Sequence, residues 1–260
     1  MKMEYKSIKY EVIDRVAKII MNVPEKMNAL DARMSEELAA AMEDVRYDDN
    51  VKAVVLTGVG KAFCAGGDVS IFPTLTLEQS IKAVRAEARS LVGSFTKLPK
   101  PIIAAVNGYA VGAGLSLALI SDIVIASDKA FFGAAFVNIG LVPDVGSLYF
   151  LPRLIGLQRA KELAFTGKNI DAQEAYRMGF VNKVVEHDKL EEAVNKMSQL
   201  LARQPQLSMA SSKALIHQGL EMGVDELIEL EGMTQGVCMQ SDDSKEGISA
   251  FMNKRKPIFK

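Results

Sequence analysis

Polar and apolar residues alternate over 5–13 and again over 16–21, with Asp14-Arg15 between them, which predicts two strands joined by a short turn. Leu30-Asp31 then opens a stretch in which Met34, Leu38, Met42 and Val45 recur at helical spacing. The pattern goes on as a strand at 51–57, a helix at 77–95, a buried strand at 102–106 and a short helix at 113–120. Strand follows at 123–126 and around Phe131-Phe132, then helix at 145–155 and 157–165. Strands and helices in alternation predict an α/β class built from stacked repeats. From about Glu191 the chain turns to nearly continuous helix, at 191–202, 208–219, 224–239 and 243–253. The expected division is an α/β core at 1–195 and a helical C-terminal region at 196–260. Gln204-Pro205-Gln206 is too short and too weakly flexible to mark an independently folding domain.

With 260 residues, 49% of them hydrophobic and 24% charged, the chain can build one large core and carries no low-complexity segment or fixed-period repeat. A formal net charge of −1 gives no electrostatic footprint for nucleic acid, and Lys254-Arg255-Lys256 is only a small basic cluster. The most apolar stretch, 110–126, includes Asp122 and several small residues, so it reads as buried helix and strand rather than a membrane span. Met1-Lys2-Met3-Glu4-Tyr5-Lys6 lacks the apolar centre of a secretory signal and reads as the start of an alternating strand. Cys64 and Cys238 fit a reducing compartment better than a disulfide framework, so the expected location is cytoplasmic.

Chemistry is concentrated in two glycine-rich turns, Lys61-Ala62-Phe63-Cys64-Ala65-Gly66-Gly67-Asp68 and Asn107-Gly108-Tyr109-Ala110-Val111-Gly112-Ala113-Gly114, each at the end of a strand. Glycines permit positive φ and close approach of a ligand, so such turns can aim peptide N–H groups at one oxygen. Competing motifs fail at specific positions. Phe63 stands where the third glycine of a dinucleotide fingerprint starting at Gly58 belongs. Val55 and Ala62 replace the first glycine and the metal-binding hydroxyl of a P-loop ending at Gly60-Lys61. Gly114-Leu115-Ser116-Leu117-Ala118 lacks the last glycine of a nucleophile elbow. His187 and His217 have no partner at ligand spacing, so both read as structural or solvent-facing and no metal site is implied.

Taken in order, Asn22-Val23-Pro24-Glu25-Lys26-Met27-Asn28-Ala29-Leu30, the two turns and the tail Phe251-Met252-Asn253-Lys254-Arg255-Lys256-Pro257 resemble the enoyl-CoA hydratase/isomerase (crotonase) superfamily over essentially the whole chain. The resemblance implies a crotonase-like spiral of strand-strand-helix repeats and a helical region that builds homotrimers, often paired into hexamers. It implies acyl-CoA thioester substrates and no cofactor beyond their CoA moiety. Matched motif to motif, the thioester oxygen would be held by the backbone N–H groups of Gly67 and Ala113. Proton removal beside a thioester carbonyl builds negative charge on that oxygen, and losing one preorganised donor costs about 2.7–4 kcal/mol. Gly112-Ala113 also opens a helix, where the dipole favours an anion. The same matching assigns Lys26, Ala29 and Ala65 to the CoA, with the Ala65 carbonyl facing the adenine, and places Gly66 and Gly112 in the turns that hold the substrate. Asp68 lies in the first turn, but it reads more simply as a loop brace, as does Asp122. Phe251 and Lys254 match a tail that often reaches the CoA in the family. Lys254 would approach a phosphate there, and the plainer reading is a solvated basic tail.

Family hydratases use two glutamates, and the matching positions here hold Ser116 and Phe136, neither of which does a carboxylate's acid/base work. Efficient hydration is therefore not expected. Asp144, in Ile139-Gly140-Leu141-Val142-Pro143-Asp144-Val145-Gly146-Ser147, resembles in position the single acid of family isomerases, including those acting on ring-epoxide and oxepin thioesters of phenylacetate breakdown. One carboxylate suffices to move a proton from the α-carbon to the γ-carbon of a 3-enoyl-CoA. Apolar neighbours would raise its pKa by desolvation and strengthen it as a base. Asp144 after Pro143 also fits a helix N-cap, Ser116 a small packing residue, and Cys64 a small buried side chain. An aspartate nucleophile, as in the family's aryl-CoA dehalogenases, leans on a tryptophan that this chain lacks. The leading expectation is a double-bond isomerase. A 2-enoyl-CoA hydratase and a non-catalytic acyl-CoA-binding protein are the alternatives.

Overall fold

The computed structural model describes residues 4–259, apart from the side chain of Ile71. The expected strand start at Met1-Lys2-Met3 thus lies outside the described residues. Strands β1 (Ile8–Ile13) and β2 (Val16–Met21) pair antiparallel with Ile13 opposite Val16, so the turn is Asp14-Arg15 alone. Both turn residues have positive φ, 48° and 68°, the primed geometry whose twist matches a hairpin.

Three stretches of chain then repeat one move. Strand β3 (Ala53–Gly58) is followed by the short β4 (Ala62–Cys64), β5 (Ile102–Val106) by β6 (Tyr109–Val111), and β7 (Ile123–Ser127) by β8 (Phe131–Gly133). In each case the first strand joins one sheet and the second joins another. With β9 (Asn169–Asp171) and β10 (Lys183–Val185), the larger sheet runs β1-β2-β3-β5-β7-β10 and the smaller β4-β6-β8-β9. Apart from the β1–β2 and β8–β9 pairs, every pairing is parallel. This is the spiral of strand-strand-helix repeats, and much of each glycine-rich turn is itself a strand of the smaller sheet.

The larger sheet is apolar on both faces, which explains why its strands read as continuous hydrophobic runs. Val54, Leu56, Ile102, Ala104 and Val106 face the main core, where helix α1 (Ala32–Tyr47) contributes Met34, Leu38, Met42 and Val45. Ala53, Val55, Ile103, Ala105 and Ile125 face the other way, against Leu190 and Val194 of α7 (Leu190–Leu201). Helix α1 starts at Asp31, whose side chain accepts from the Met34 N–H at 2.8 Å. Helix α2 (Leu77–Thr96) starts with a capping box between Thr76 and Gln79. The remaining central helices are α3 (Ala113–Leu119), α4 (Ser147–Ile155), α5 (Leu157–Thr166) and α6 (Ala172–Met178).

Helix α7 runs through the expected division at 195/196 and packs on the larger sheet. The helices beyond it, α8 (Gln206–Gly219), α9 (Val224–Gln240) and α10 (Asp242–Met252), hold a single buried residue, Ala250. Lys213 of α8 fastens this region to the core through an ion pair with Asp122 at 2.7 Å, and the same carboxylate oxygen accepts from the Ile102 N–H. Among the described residues no helix is long and apolar enough to cross a membrane.

Candidate active site

Asn28 organises the first turn. Fully buried and at φ 56°, it accepts from the Val23 N–H through Oδ1 and donates through Nδ2 to the carbonyls of Val59 and Ala62. Segment 22–30 is thereby fixed to the β3–β4 connection. Backbone bonds continue the seam: Ala65 N–H to Met27 O at 3.1 Å, Leu30 N–H to Gly66 O and Asp68 N–H to Leu30 O, both at 2.7 Å. Gly67 is exposed between these bonded neighbours.

Parallel pairing of β4 with β6 sets Cys64 opposite Ala110 and brings the second turn alongside the first. The glycines are there because backbone meets backbone. A Cβ on Gly112 would stand 3.4 Å from the Gly66 Cα, and one on Gly114 would collide with the Cys64 carbonyl. Gly112 also has φ 56° and donates its N–H to the Gly133 carbonyl at 2.8 Å. Ala113 is the first residue of α3, so its N–H is among those that a helix cannot satisfy internally. The Phe136 ring lies 3.9 Å from where a Gly112 Cβ would be, so an apolar wall stands at this side of the turn.

Asp144 precedes a strained corner. Val145, β-branched and buried, has φ 46°, and Gly146 has φ 81°. A β-branched residue at positive φ is costly and persists only where its surroundings force it. The corner places Asp144 ahead of α4 without letting it cap the helix. Gly146 occupies the N-cap position, and the expected helix at 145–155 begins at Ser147. The Asp144 carbonyl accepts from the Ser147 N–H at 2.9 Å and from Ser116 Oγ at 3.0 Å, and Ser116 and Ser147 join their hydroxyls at 2.6 Å. Asp144 Oδ1 is buried without a hydrogen-bond partner. Burial, reinforced by the charge of Glu87, pushes the carboxyl up to about 6. An unpartnered buried carboxylate with a raised pKa is a marker of function more than of packing.

The other candidates fall into two groups. Lys26 and Asp68 form an ion pair at 3.0 Å, and Asp68 also accepts from the Ser70 N–H. Hydrogen bonds from Ser70 and Lys26 pull the Asp68 carboxyl down to about 2, in keeping with a loop brace. Ala29 and Ala65 lie partly exposed on either side of the seam. Phe251 is 82% exposed near the end of α10, and Lys254 lies beyond that helix. No hydrogen bond or ion pair among the described residues links either to the turns. Burial pushes the Cys64 thiol up to about 12, which suits a packing residue and not a nucleophile. His187 Nδ1 is bonded to Ser127 Oγ at 2.9 Å, and His217 meets the edge of Phe150.

Glu87 was not foreseen. It lies on α2, is half-buried like the adjacent Ala88, and accepts from Ser35 Oγ at 2.5 Å. It stands three residues after Val84 and four before Leu91, so a charged residue within the apolar stripe of α2 is the signal that the sequence carried.

Residues 11–260 match the family model described as enoyl-CoA hydratase/isomerase. A probable enoyl-CoA hydratase of Rhodobacter capsulatus is 40% identical, covering 99% of both chains. The 1,2-epoxyphenylacetyl-CoA isomerase of Escherichia coli is 37% identical, covering 94% of both. The solved structure of an enoyl-CoA hydratase from Bacillus anthracis superposes with a TM-score of 0.93 at 34% identity, covering 98% of this chain and 99% of that one.

Proposed function

Given that the chain belongs to the enoyl-CoA hydratase/isomerase family, we propose that it moves a double bond in an enoyl-CoA thioester, with Asp144 as the single acid/base. The observation that carries this reading is the Asp144 carboxyl itself, half-buried, partnerless at Oδ1 and raised to about 6. A base of that strength is still ionised at neutral pH, and its conjugate acid gives the proton back readily. Asp144 takes the proton from the α-carbon. The C–H electron pair passes into a dienolate whose negative charge rests on the thioester oxygen between the Gly67 and Ala113 N–H groups. Asp144 then returns the proton at the γ-carbon, and no water enters. Phe136 and buried Ser116, where family hydratases carry glutamates, supply no second acid and support this route.

Hydration of a 2-enoyl-CoA is the second reading, favoured by the name of the Rhodobacter relative. On either reading the CoA lies along Lys26, Ala29, Ala65, Gly66, Asp68 and Gly112, the Lys26–Asp68 pair opening to a phosphate. Phe251 and Lys254 match a tail that often reaches the CoA in the family, and a homotrimer or hexamer, which the exposed apolar residues of α8 and α9 such as Ile216, Ile228 and Val237 favour, would let them do so across a subunit boundary. The deciding experiment supplies 3-enoyl-CoA and 2-enoyl-CoA side by side to the wild type and to Asp144→Asn, identifying products by mass and absorbance. Isomerisation abolished in the variant is expected. Hydration that survives in Asp144→Asn would mean a different catalytic group and a different reaction, and thermal stabilisation by acyl-CoA without turnover would leave a binding protein.

A further inference from the structure

The corner that carries Asp144 is fixed to the first turn of α4, and that turn is fixed to the C-terminal helices. Gly146 lies between α2 and α4: a Cβ there would stand 3.2 Å from Val92 Cγ2 and 3.1 Å from Phe150 Cε2. Its carbonyl accepts from the N–H groups of Tyr149 and Phe150 at 2.9 and 3.0 Å. Both of these aromatic residues then reach the tail. The rings of Phe150 and His217 on α8 meet edge to face, with centroids 6.2 Å apart. The Tyr149 hydroxyl donates to Glu221 Oε1 at 2.5 Å, in the connection 220–223 between α8 and α9. Arg153 closes the cluster. Its guanidinium lies 3.6 Å from the centroid of the Tyr149 ring, donates to the Tyr149 carbonyl at 3.0 Å and reaches the same Glu221 oxygen at 3.4 Å. One carboxylate of the C-terminal region therefore holds both the hydroxyl of Tyr149 and the cation stacked on its ring. With side chains 39% and 61% exposed, the Arg153–Glu221 pair adds little to stability. What the cluster does fix is the place of the first turn of α4.

We propose that Glu221, acting through Tyr149, is a positioning residue for Asp144: the α8–α9 connection holds the first turn of α4, and with it the corner that aims the acid. This rests on the isomerase reading above. Neither Glu221 nor Tyr149 exchanges a proton with the substrate. Val145 keeps φ 46° only because its surroundings impose it, and they impose it from both ends. Ser116 and Ser147 act at the Asp144 carbonyl, and the clamped turn acts at the Gly146 carbonyl. A carboxylate that moves a proton between two carbons depends on its placement, and a displacement of about 1 Å can cost about 10² in rate. Among the ionisable groups of the packed helices, Glu87 on α2 bears on the Asp144 carboxyl, whereas Glu221, Arg153 and His217 gather about Tyr149 and Phe150.

The test measures kcat and KM for a short-chain 3-enoyl-CoA, a carboxyl-carbon NMR titration of Asp144 and a melting curve in the wild type, Tyr149→Phe, Glu221→Ala, Glu221→Gln and the double variant Tyr149→Phe/Glu221→Ala. Tyr149→Phe removes the hydroxyl without changing the charge, and Glu221→Gln removes the charge but keeps an acceptor oxygen. In Tyr149→Phe and Glu221→Ala kcat should fall roughly three- to thirtyfold, with KM within about twofold of the wild type. The Asp144 titration should move from about 6 towards the ordinary carboxylate range, because a loosened corner admits water to the carboxyl. The double variant should be no worse than the poorer single one, since both break the same link. Glu221→Gln should recover most of kcat, and melting temperatures should stay near that of the wild type. A wild-type kcat or titration in Tyr149→Phe, losses that multiply in the double variant, or a Glu221→Gln as impaired as Glu221→Ala overturns the proposal. No turnover of the 3-enoyl-CoA by the wild type would instead sink the isomerase reading, and the Asp144 titration in Tyr149→Phe still decides whether the clamp holds the corner.

Discussion

Ser116 Oγ donates to the backbone carbonyl of Asp144 at 3.0 Å while sharing a hydrogen bond with Ser147 Oγ at 2.6 Å. Ser116, at the position that the family resemblance matches to a hydratase glutamate, is thus no mere filler of the α3 face. It clamps the acid's main chain and leaves the acid's side chain free.

Removing that clamp should separate catalysis from binding. Ser116→Ala leaves the Ser147 hydroxyl without Ser116 and the Asp144 carbonyl with the Ser147 N–H alone, at a cost of about 1–3 kcal/mol in stability. Calorimetry and steady-state kinetics are expected to show a lower Tm and a reduced kcat with little change in KM for the thioester. An unchanged kcat would show that the strained corner at Val145 positions Asp144 alone.

Asp144→Asn should cost a factor of about 10²–10⁴ in isomerisation, the usual worth of a general acid/base. In the wild type the activity should fall as pH drops through about 6, because the base must be ionised to accept the α-proton.

The same group predicts an opposite effect on stability. Its folded pKa lies above the ordinary carboxylate value, so between about pH 4 and pH 6 the folded state holds more proton than the unfolded one, and stability falls as pH rises. Asp144→Asn should therefore melt higher than the wild type at pH 8, with the difference vanishing towards pH 4. A variant that melts lower at every pH would contradict an acid kept at the expense of the fold.

Gly114→Ala should damage the site more than its distance from any carboxylate suggests. The added methyl meets the Cys64 carbonyl, a backbone atom that cannot move without dislodging the first turn. A loss of roughly 1–3 kcal/mol or more is expected. Isothermal titration with a saturated acyl-CoA should show weakened binding in the folded fraction. Wild-type affinity would mean that the turns are not mutually braced.

How much of this was legible in the sequence depends on what each element relies upon. The β1–β2 hairpin and α1 announce themselves because one face is buried and the spacing records it. The glycines of the two turns are visible because a missing side chain is a sequence fact. The strands β4 and β6 are only three residues each, too short for alternation to register, whereas Phe131-Phe132 betrayed the equally short β8. They are strands because neighbours pair with them. Between Asn169 and Val185 the three elements β9, α6 and β10 went unread, although the signals of α6 were present: Asp171 caps it by accepting from the Glu174 N–H, and Gly179 ends it at φ 101°. Asp144 could be found as the one remaining acid, but the orphaned Oδ1 could not. Glu87 could be noticed only as a charge within the apolar stripe of α2, because its partner Ser35 is brought near by the fold alone.

Helix α8 offers a test of how the tail is held. Breaking the Lys213–Asp122 pair with Lys213→Met leaves a largely buried carboxylate with only the Ile102 N–H, at a cost of about 3–5 kcal/mol. Hydrogen exchange should rise first in α8 and α9. A rise confined to β5 would place the damage in the core instead.

The parallel pairing of β4 with β6 joins segments separated by the whole of α2, and such long-range parallel contacts are among the slowest to form. Neither turn can offer its N–H group to a common oxygen until that pairing is made. The proposed oxyanion pocket is therefore expected to be a late product of folding. An acyl thioester added during refolding should leave the early phases untouched, and its binding should appear only with the slowest one.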